Sequence, residues 1–112
     1  MSDKDEIIIK KIIKYLLEVD IYTKDMEFED FSKDTRTLNA TAFVLGQVGE
    51  LSKHITDECK EFNTHINWKG IRGLRNRIVH DYENVDMNML WSVVREDVPN
   101  LKNSLKELLG GI

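Results

Sequence analysis

The sequence predicts an all-α fold, most simply a four-helix bundle with one extra short helix. Apolar residues recur at spacings of three and four along most of the chain, and no segment alternates in the manner of a half-buried strand. Its 112 residues include one proline and six glycines, too few to mark a linker or a boundary, so residues 1–112 are expected to form one domain. With 41% hydrophobic and 32% charged residues, the chain reads as a soluble globular protein rather than a disordered or membrane one.

The helices follow in order. From Asp3 to about Tyr22, Ile8, Ile12, Tyr15, Leu16 and Val19 make one stripe, and Ile9, Ile13 and Leu17 widen it enough to predict a helix buried on two sides. A short acidic stretch with Phe28 and Phe31 comes next. Asp34 or Thr35 is placed to cap a second long helix reaching about Phe62, with Leu38, Ala42, Leu45, Val48, Ile55, Cys59 and Phe62 as its core stripe. Ala42, Gly46 and Gly49 share a face there. Two interior glycines cost about 1 kcal/mol each relative to alanine, which predicts the close approach of another helix, from this chain or from a second copy. Asn67 can cap a third helix, Trp68 to about Tyr82. The last begins near Asp86 and carries Met87, Leu90, Val94, Val98, Leu101, Leu105 and Leu108. Pro99 should kink or break it around residues 95–99, and Gly110 and Gly111 should end it.

Composition excludes several function classes. No apolar run approaches the roughly 18 residues of a membrane span, and the start MSDKDEIIIK is too acidic for a signal peptide, so a cytoplasmic location is expected. A single cysteine, Cys59, makes neither an intrachain disulfide nor a cysteine-only metal site. Net charge is −4, which argues against a protein that binds polyanions through overall charge. The distribution is more telling. Lys69, Arg72, Arg75 and Arg77 against Asp81 give +3 over Lys69 to Asp81, leaving −7 for the rest.

Chemistry-bearing residues concentrate in IRGLRNRIVHDY, Ile71 to Tyr82. At about 100° per residue Arg72, Asn76 and His80 fall along one line and Arg75 and Tyr82 along a neighbouring one, while Leu74, Ile78 and Val79 hold the helix on the core. Arginine offers a planar fork of donors to phosphate, and a histidine titrating near neutrality can exchange a proton with a ribose 2′-hydroxyl or a leaving oxygen. Those are the ingredients of metal-free RNA cleavage, with arginine offsetting charge on the phosphoryl oxygens. One histidine is short of an acid and a base. A symmetric dimer would bring a second His80 to the same cleft, or water could act as one of the two. The same residues also fit a solvated helix face.

Other candidates carry less. Glu50, His54, Asp57 or Glu58, and Glu61 lie near one side of the second helix at spacings a metal could bridge, but a solvated face with helical ion pairs explains them better. His65 reads as a surface residue, and Trp68 and Trp91 as core anchors rather than stacking platforms. Gly46, Gly49, Gly70 and Gly73 make no phosphate-binding loop, because no strand precedes them and no Lys-Ser or Lys-Thr pair follows.

The run from Arg75 and Asn76, through three further residues, to His80, Asp81 and Tyr82 resembles the signature of HEPN-superfamily ribonucleases. The tyrosine two after the histidine resembles the HepT-like toxins in particular. LGQVGELSKHI at Leu45 to Ile55 is similar to the family's "IGEA" helix, and NWKGIRGLRNRIVHDY to its motif helix. VDMNMLWSVVREDVPNLKNSL is similar to its last helix, so the resemblance spans roughly residues 35–108.

The resemblance implies an antiparallel HEPN-type four-helix bundle that acts as a homodimer. It implies a metal-independent endoribonuclease with no cofactor, the toxin of a type VII toxin–antitoxin system. Arg75 and His80 would be the catalytic pair, supported by Asn76, with Arg72, Arg77 and Lys69 toward RNA and Glu50 orienting a motif arginine. Transfer RNA is one candidate substrate. A partner nucleotidyltransferase antitoxin of the MntA type would modify Tyr82 with AMP, placing bulky negative charge beside the cleft. The alternative is a catalytically silent HEPN module that docks a nucleotidyltransferase or binds nucleotide.

Overall fold

In the computed structural model the described residues are 1–81 and 87–110, with the side chains of residues 75 and 77–81 outside that description. They form α1 (Asp3–Tyr22), α2 (Phe28–Lys33), α3 (Thr35–Ser52), α4 (Asp57–Phe62), α5 (Trp68–Asp81), α6 (Met87–Ser92), a π-helical turn (Val93–Asp97) and α7 (Val98–Leu108). Among the described residues there is no strand, and no helix is long and apolar enough to cross a membrane.

Local chemistry sets most boundaries. Ser2 starts α1 by accepting the Asp5 N–H at 3.1 Å, with Asp3, Asp5 and Glu6 facing the positive end of the helix dipole. Asp25, at φ +62°, turns the chain after α1 in a conformation that aspartate tolerates. A capping box between Glu27 and Asp30 opens α2, and the Asp34 carboxylate caps α3 by accepting the Thr37 N–H at 3.1 Å. Backbone and hydroxyl hydrogen bonds from Thr37 hold the Asp34 carboxyl below the ordinary carboxylate range.

The second long helix does not run to Phe62. It stops at Ser52, and after a turn Thr56 takes an extended conformation (ψ 150°) to cap the separate α4. A contact 51 residues away decides this. The buried Asp5 carboxylate accepts the Thr56 N–H at 2.8 Å and its hydroxyl at 2.6 Å, while the Thr56 Oγ1 accepts the Cys59 N–H at 3.2 Å. The break adds the short α4 to the short α2, where the sequence predicts one extra short helix. Nor does α1 bury two sides: Ile9 is fully buried and Ile13 half-buried, but Leu17 is 40% exposed, leaving one broad apolar face.

The helix is interrupted before Pro99, as expected, and the interruption is a π-helical turn. The Val98 N–H donates to the Val93 carbonyl, one residue further back than in an α-helix, and Pro99 sits in the first turn of α7, where its missing donor does least harm. Gly110, at φ +78°, follows the end of α7, and Gly111 lies outside the described residues.

α3 is the central element. It packs against α5 and α1 of the same chain, α1 packs against α7, and α2 bridges α3 and α6. Ala42 and Gly49 are buried and Gly46 half-buried. Ile9, Ile12, Leu16 and Val19 of α1 meet the core with Leu45 and Val48 of α3, Ile71 and Leu74 of α5, and Val98 and Leu105 of α7. Full burial of each large aliphatic side chain is worth about 1.5–3 kcal/mol. Lys102 of α7 bonds Asp20 of α1. Phe31 is buried against Trp91, ring centroids 4.9 Å apart, and the Arg95 guanidinium lies 4.3 Å from that indole centroid while donating to the Met26 carbonyl.

Burial pushes the Asp5 carboxyl up, but the hydrogen bonds from Thr56 and Ser2 outweigh it and hold it below the ordinary carboxylate range. A carboxyl depressed in the folded state adds stability above its unfolded value and loses it as pH falls through the folded one. Asp5→Ala is expected to destabilise the chain by about 2–3 kcal/mol near neutrality in urea unfolding. The gap to wild type should narrow only at pH values below the ordinary carboxylate range.

Candidate functional site

α5 is a 14-residue helix whose two sides do different work. The Asn67 side chain caps it by accepting the Gly70 N–H at 2.9 Å, as its sequence position predicts. Trp68 is half-buried and donates its indole N–H to the Asn63 carbonyl at 3.0 Å. Trp68 and Trp91 thus anchor packing, as expected. Ile71 and Leu74 face the core at 7% and 9% exposure.

Another side of the helix is polar. Lys69, Arg72 and Asn76 are exposed, on the side reached by moving about 100–160° round the axis from Ile71. His80 continues that line by backbone position, one turn beyond Asn76. Arg75, Arg77 and His80 are placed on α5 by their backbone, and their side chains lie outside the described residues, as does Tyr82 entirely. Glu50 is half-buried in the last turn of α3, the helix on which α5 packs, and its Oε1 lies 3.1 Å from Lys53 Nζ.

The electrostatics of this face follow from the order of residues. The first turns of α1, α2 and α4 carry acidic residues, whereas that of α5 carries none, so its basic residues stand together rather than interleaved with carboxylates. An exposed guanidinium and ammonium with an amide beside them can hold a phosphodiester by charge and directed donors.

The second-helix metal candidates are not brought together. His54 falls in the turn after Ser52, so Glu50 and the residues of α4 no longer share one helix face, and the described residues contain no group of three or more histidine, cysteine or carboxylate side chains able to hold a metal ion. His65 is exposed. It belongs to a feature that the sequence does not reveal, a groove of about 250 Å³ between α5 and α7 lined in part by Asn67, Asp97, Asn100 and Ser104. Its lining residues on α5 are Gly70, Ile71 and Leu74, across the helix from Arg72 and Asn76.

A family model described as Ribonuclease HepT-like matches residues 12–108. The chain belongs to the HepT-like ribonuclease family. It is 34% identical over 90 residues to a Thermococcus cleftensis protein named "Probable ribonuclease HepT", covering 80% of this chain and 82% of that one. Two proteins named as putative RNases are also similar. One, from Methanocaldococcus jannaschii, is 31% identical over 95% of this chain and 98% of its own. The other, from Caldanaerobacter subterraneus subsp. tengcongensis, is 33% identical over 77% of each. No solved structure matches the chain. The match runs from residue 12, within α1, to residue 108, the end of α7, and so takes in α5.

Among the described side chains of α5, Lys69 and Arg72 are the exposed cations, and Arg72 lies nearer the middle of the helix. Arg72→Ala is expected to leave thermal stability unchanged while weakening binding of labelled single-stranded RNA. The slope of log affinity against log salt should become shallower by about one.

Proposed function

We propose that the chain is a metal-independent endoribonuclease acting as a homodimer, with Arg75 and His80 as its catalytic pair. The observation that carries this reading is the continuous polar line on α5. Lys69, Arg72 and Asn76 stand exposed on the helix, and Arg75 and His80 lie on the same helix by backbone position. The relatives named as ribonucleases support it.

In this reading a ribose 2′-oxygen gives up its proton to His80, attacks the adjacent phosphorus, and the bond to the 5′-oxygen breaks. The leaving oxygen takes a proton from the partner's histidine or from water, and the product is a cyclic phosphate. Arg75 offsets charge on the non-bridging oxygens, Asn76 holds the phosphate, and Lys69, Arg72 and Arg77 draw the strand toward a face whose local charge opposes that of the rest of the molecule. Glu50, on the neighbouring α3, orients a motif arginine. Transfer RNA is one candidate substrate.

The same reading makes the chain the toxin of a type VII toxin–antitoxin pair. A nucleotidyltransferase antitoxin of the MntA type would transfer AMP from ATP to the Tyr82 hydroxyl, releasing pyrophosphate. An added phosphodiester at the end of α5 repels RNA by like charge and blocks the cleft by size. The alternative, a silent module that docks a nucleotidyltransferase or binds nucleotide, predicts tight partner binding with no cleavage.

Purified protein is expected to cleave RNA in excess EDTA, leaving cyclic phosphate ends. Arg75→Ala or His80→Ala should lower the rate at least about a hundredfold with the helical circular dichroism retained. Cleavage that persists in either variant removes the assignment, and absence of cleavage in wild type favours the silent module. Co-expression with a neighbouring nucleotidyltransferase should add AMP-sized increments to the intact mass, and Tyr82→Phe should abolish them.

A further inference from the structure

Gly73 leaves a gap in the polar face of α5. At about 100° per residue it falls within about 20° of the His80 position and two turns, roughly 10 Å, before it. Lys69 and Asn76 lie about one turn to either side and Arg72 is adjacent, all three exposed. A Cβ added at Gly73 would meet no atom of the described residues within 4 Å.

The other glycines at the ends of α5 and α7 have reasons inside the chain. A Cβ at Gly70 would come within 2.5 Å of Asn67 Nδ2, in the side chain that caps the helix, and Gly110 takes a φ of +78°. Gly73 lies mid-helix with no left-handed backbone, and none of the described residues would crowd a Cβ there. An interior glycine weakens a helix relative to alanine, and nothing among the described residues offsets that at Gly73.

We propose that Gly73 is a clearance position for RNA, where the missing side chain lets the sugar–phosphate backbone of a bound single strand lie against the helix between Lys69, Arg72 and Asn76. The inference rests on the ribonuclease reading above and deepens it. A polyanion suits this face better than a second copy does. The segment from Lys69 to Asp81 carries a net +3, so two such faces repel at backbone contact unless phosphate lies between them. Charge-assisted hydrogen bonds to phosphate tolerate little stretching, and an alanine methyl would displace the strand by about 1.5 Å. Errors of that size in a reacting geometry cost about a hundredfold in rate.

The test is Gly73→Ala in the full-length chain, paired with binding of a fluorescein-labelled mixed-sequence single-stranded RNA oligonucleotide in a His80→Ala background that does not cut it. The expected result is a melting temperature equal to or above that of the parent, an unchanged sedimentation coefficient, RNA affinity lower by about tenfold and, with His80 restored, kcat/KM lower by tenfold or more. A merely structural glycine would show the opposite, lower stability with binding scaled to the folded fraction. RNA affinity equal to that of the parent overturns the inference, as does loss of a dimer on sedimentation, which would make a second copy the occupant. Failure of the parent protein to bind or cut RNA overturns the ribonuclease reading itself, whereas normal RNA binding by Gly73→Ala overturns only the role given to this position.

Discussion

The seating of α5 on α3 is the constraint on which the rest of the molecule depends. α5 commits Ile71 and Leu74 to the core, with exposures of 7% and 9%, and presents Lys69, Arg72 and Asn76 exposed on another side. α3 can serve as that seat because it is itself held between α5 and α1, with Leu45 and Val48 fully buried. Of the small residues on α3, Ala42 and Gly49 are buried and Gly46 half-buried. Two interior glycines would weaken an isolated helix by about 1 kcal/mol each, and α3 is instead a helix with close neighbours from its own chain.

Around this pair, long-range contacts set what local propensity leaves open. Asp5 reaches across from α1 to fix the turn at Thr56, so the start of one helix determines where another ends. Trp91 receives Phe31 and lies beneath Arg95, which ties the short α2 to the last third of the chain. The π turn just before Pro99 inserts one extra residue, and this re-registers the apolar positions so that Val93, Val94 and Val98 are all buried despite their spacing.

The charge distribution makes sense in the same terms. An acidic chain with one basic segment looks unbalanced as a list, but many of its carboxylates sit in the first turns of α1, α2 and α4, where they complement helix dipoles and cap the backbone. α5 is capped by the neutral Asn67 and has no acid in its first turn, where Lys69 stands exposed with Arg72 one turn on. Attraction of a polyanion to such a protein is local rather than global, and salt should screen it strongly.

The helical class, the extents of α1 and α5, the Asn67 cap, the interruption before Pro99 and the HepT-like motif were all legible in the amino-acid order. Each depends on periodicity, on a single capping or breaking residue, or on spacing within one helix, and those are short-range properties. Tertiary structure alone decided that the second helix breaks at Ser52, that Leu17 of α1 stays exposed, that the carboxylates near His54 are not gathered, and that a Cβ at Gly73 would meet no atom of the described residues within 4 Å. These outcomes turn on which surfaces meet across tens of residues. A carboxylate 51 positions away can outbid local helix propensity, and whether an apolar or absent side chain faces a neighbour or open space is a property of the packed whole.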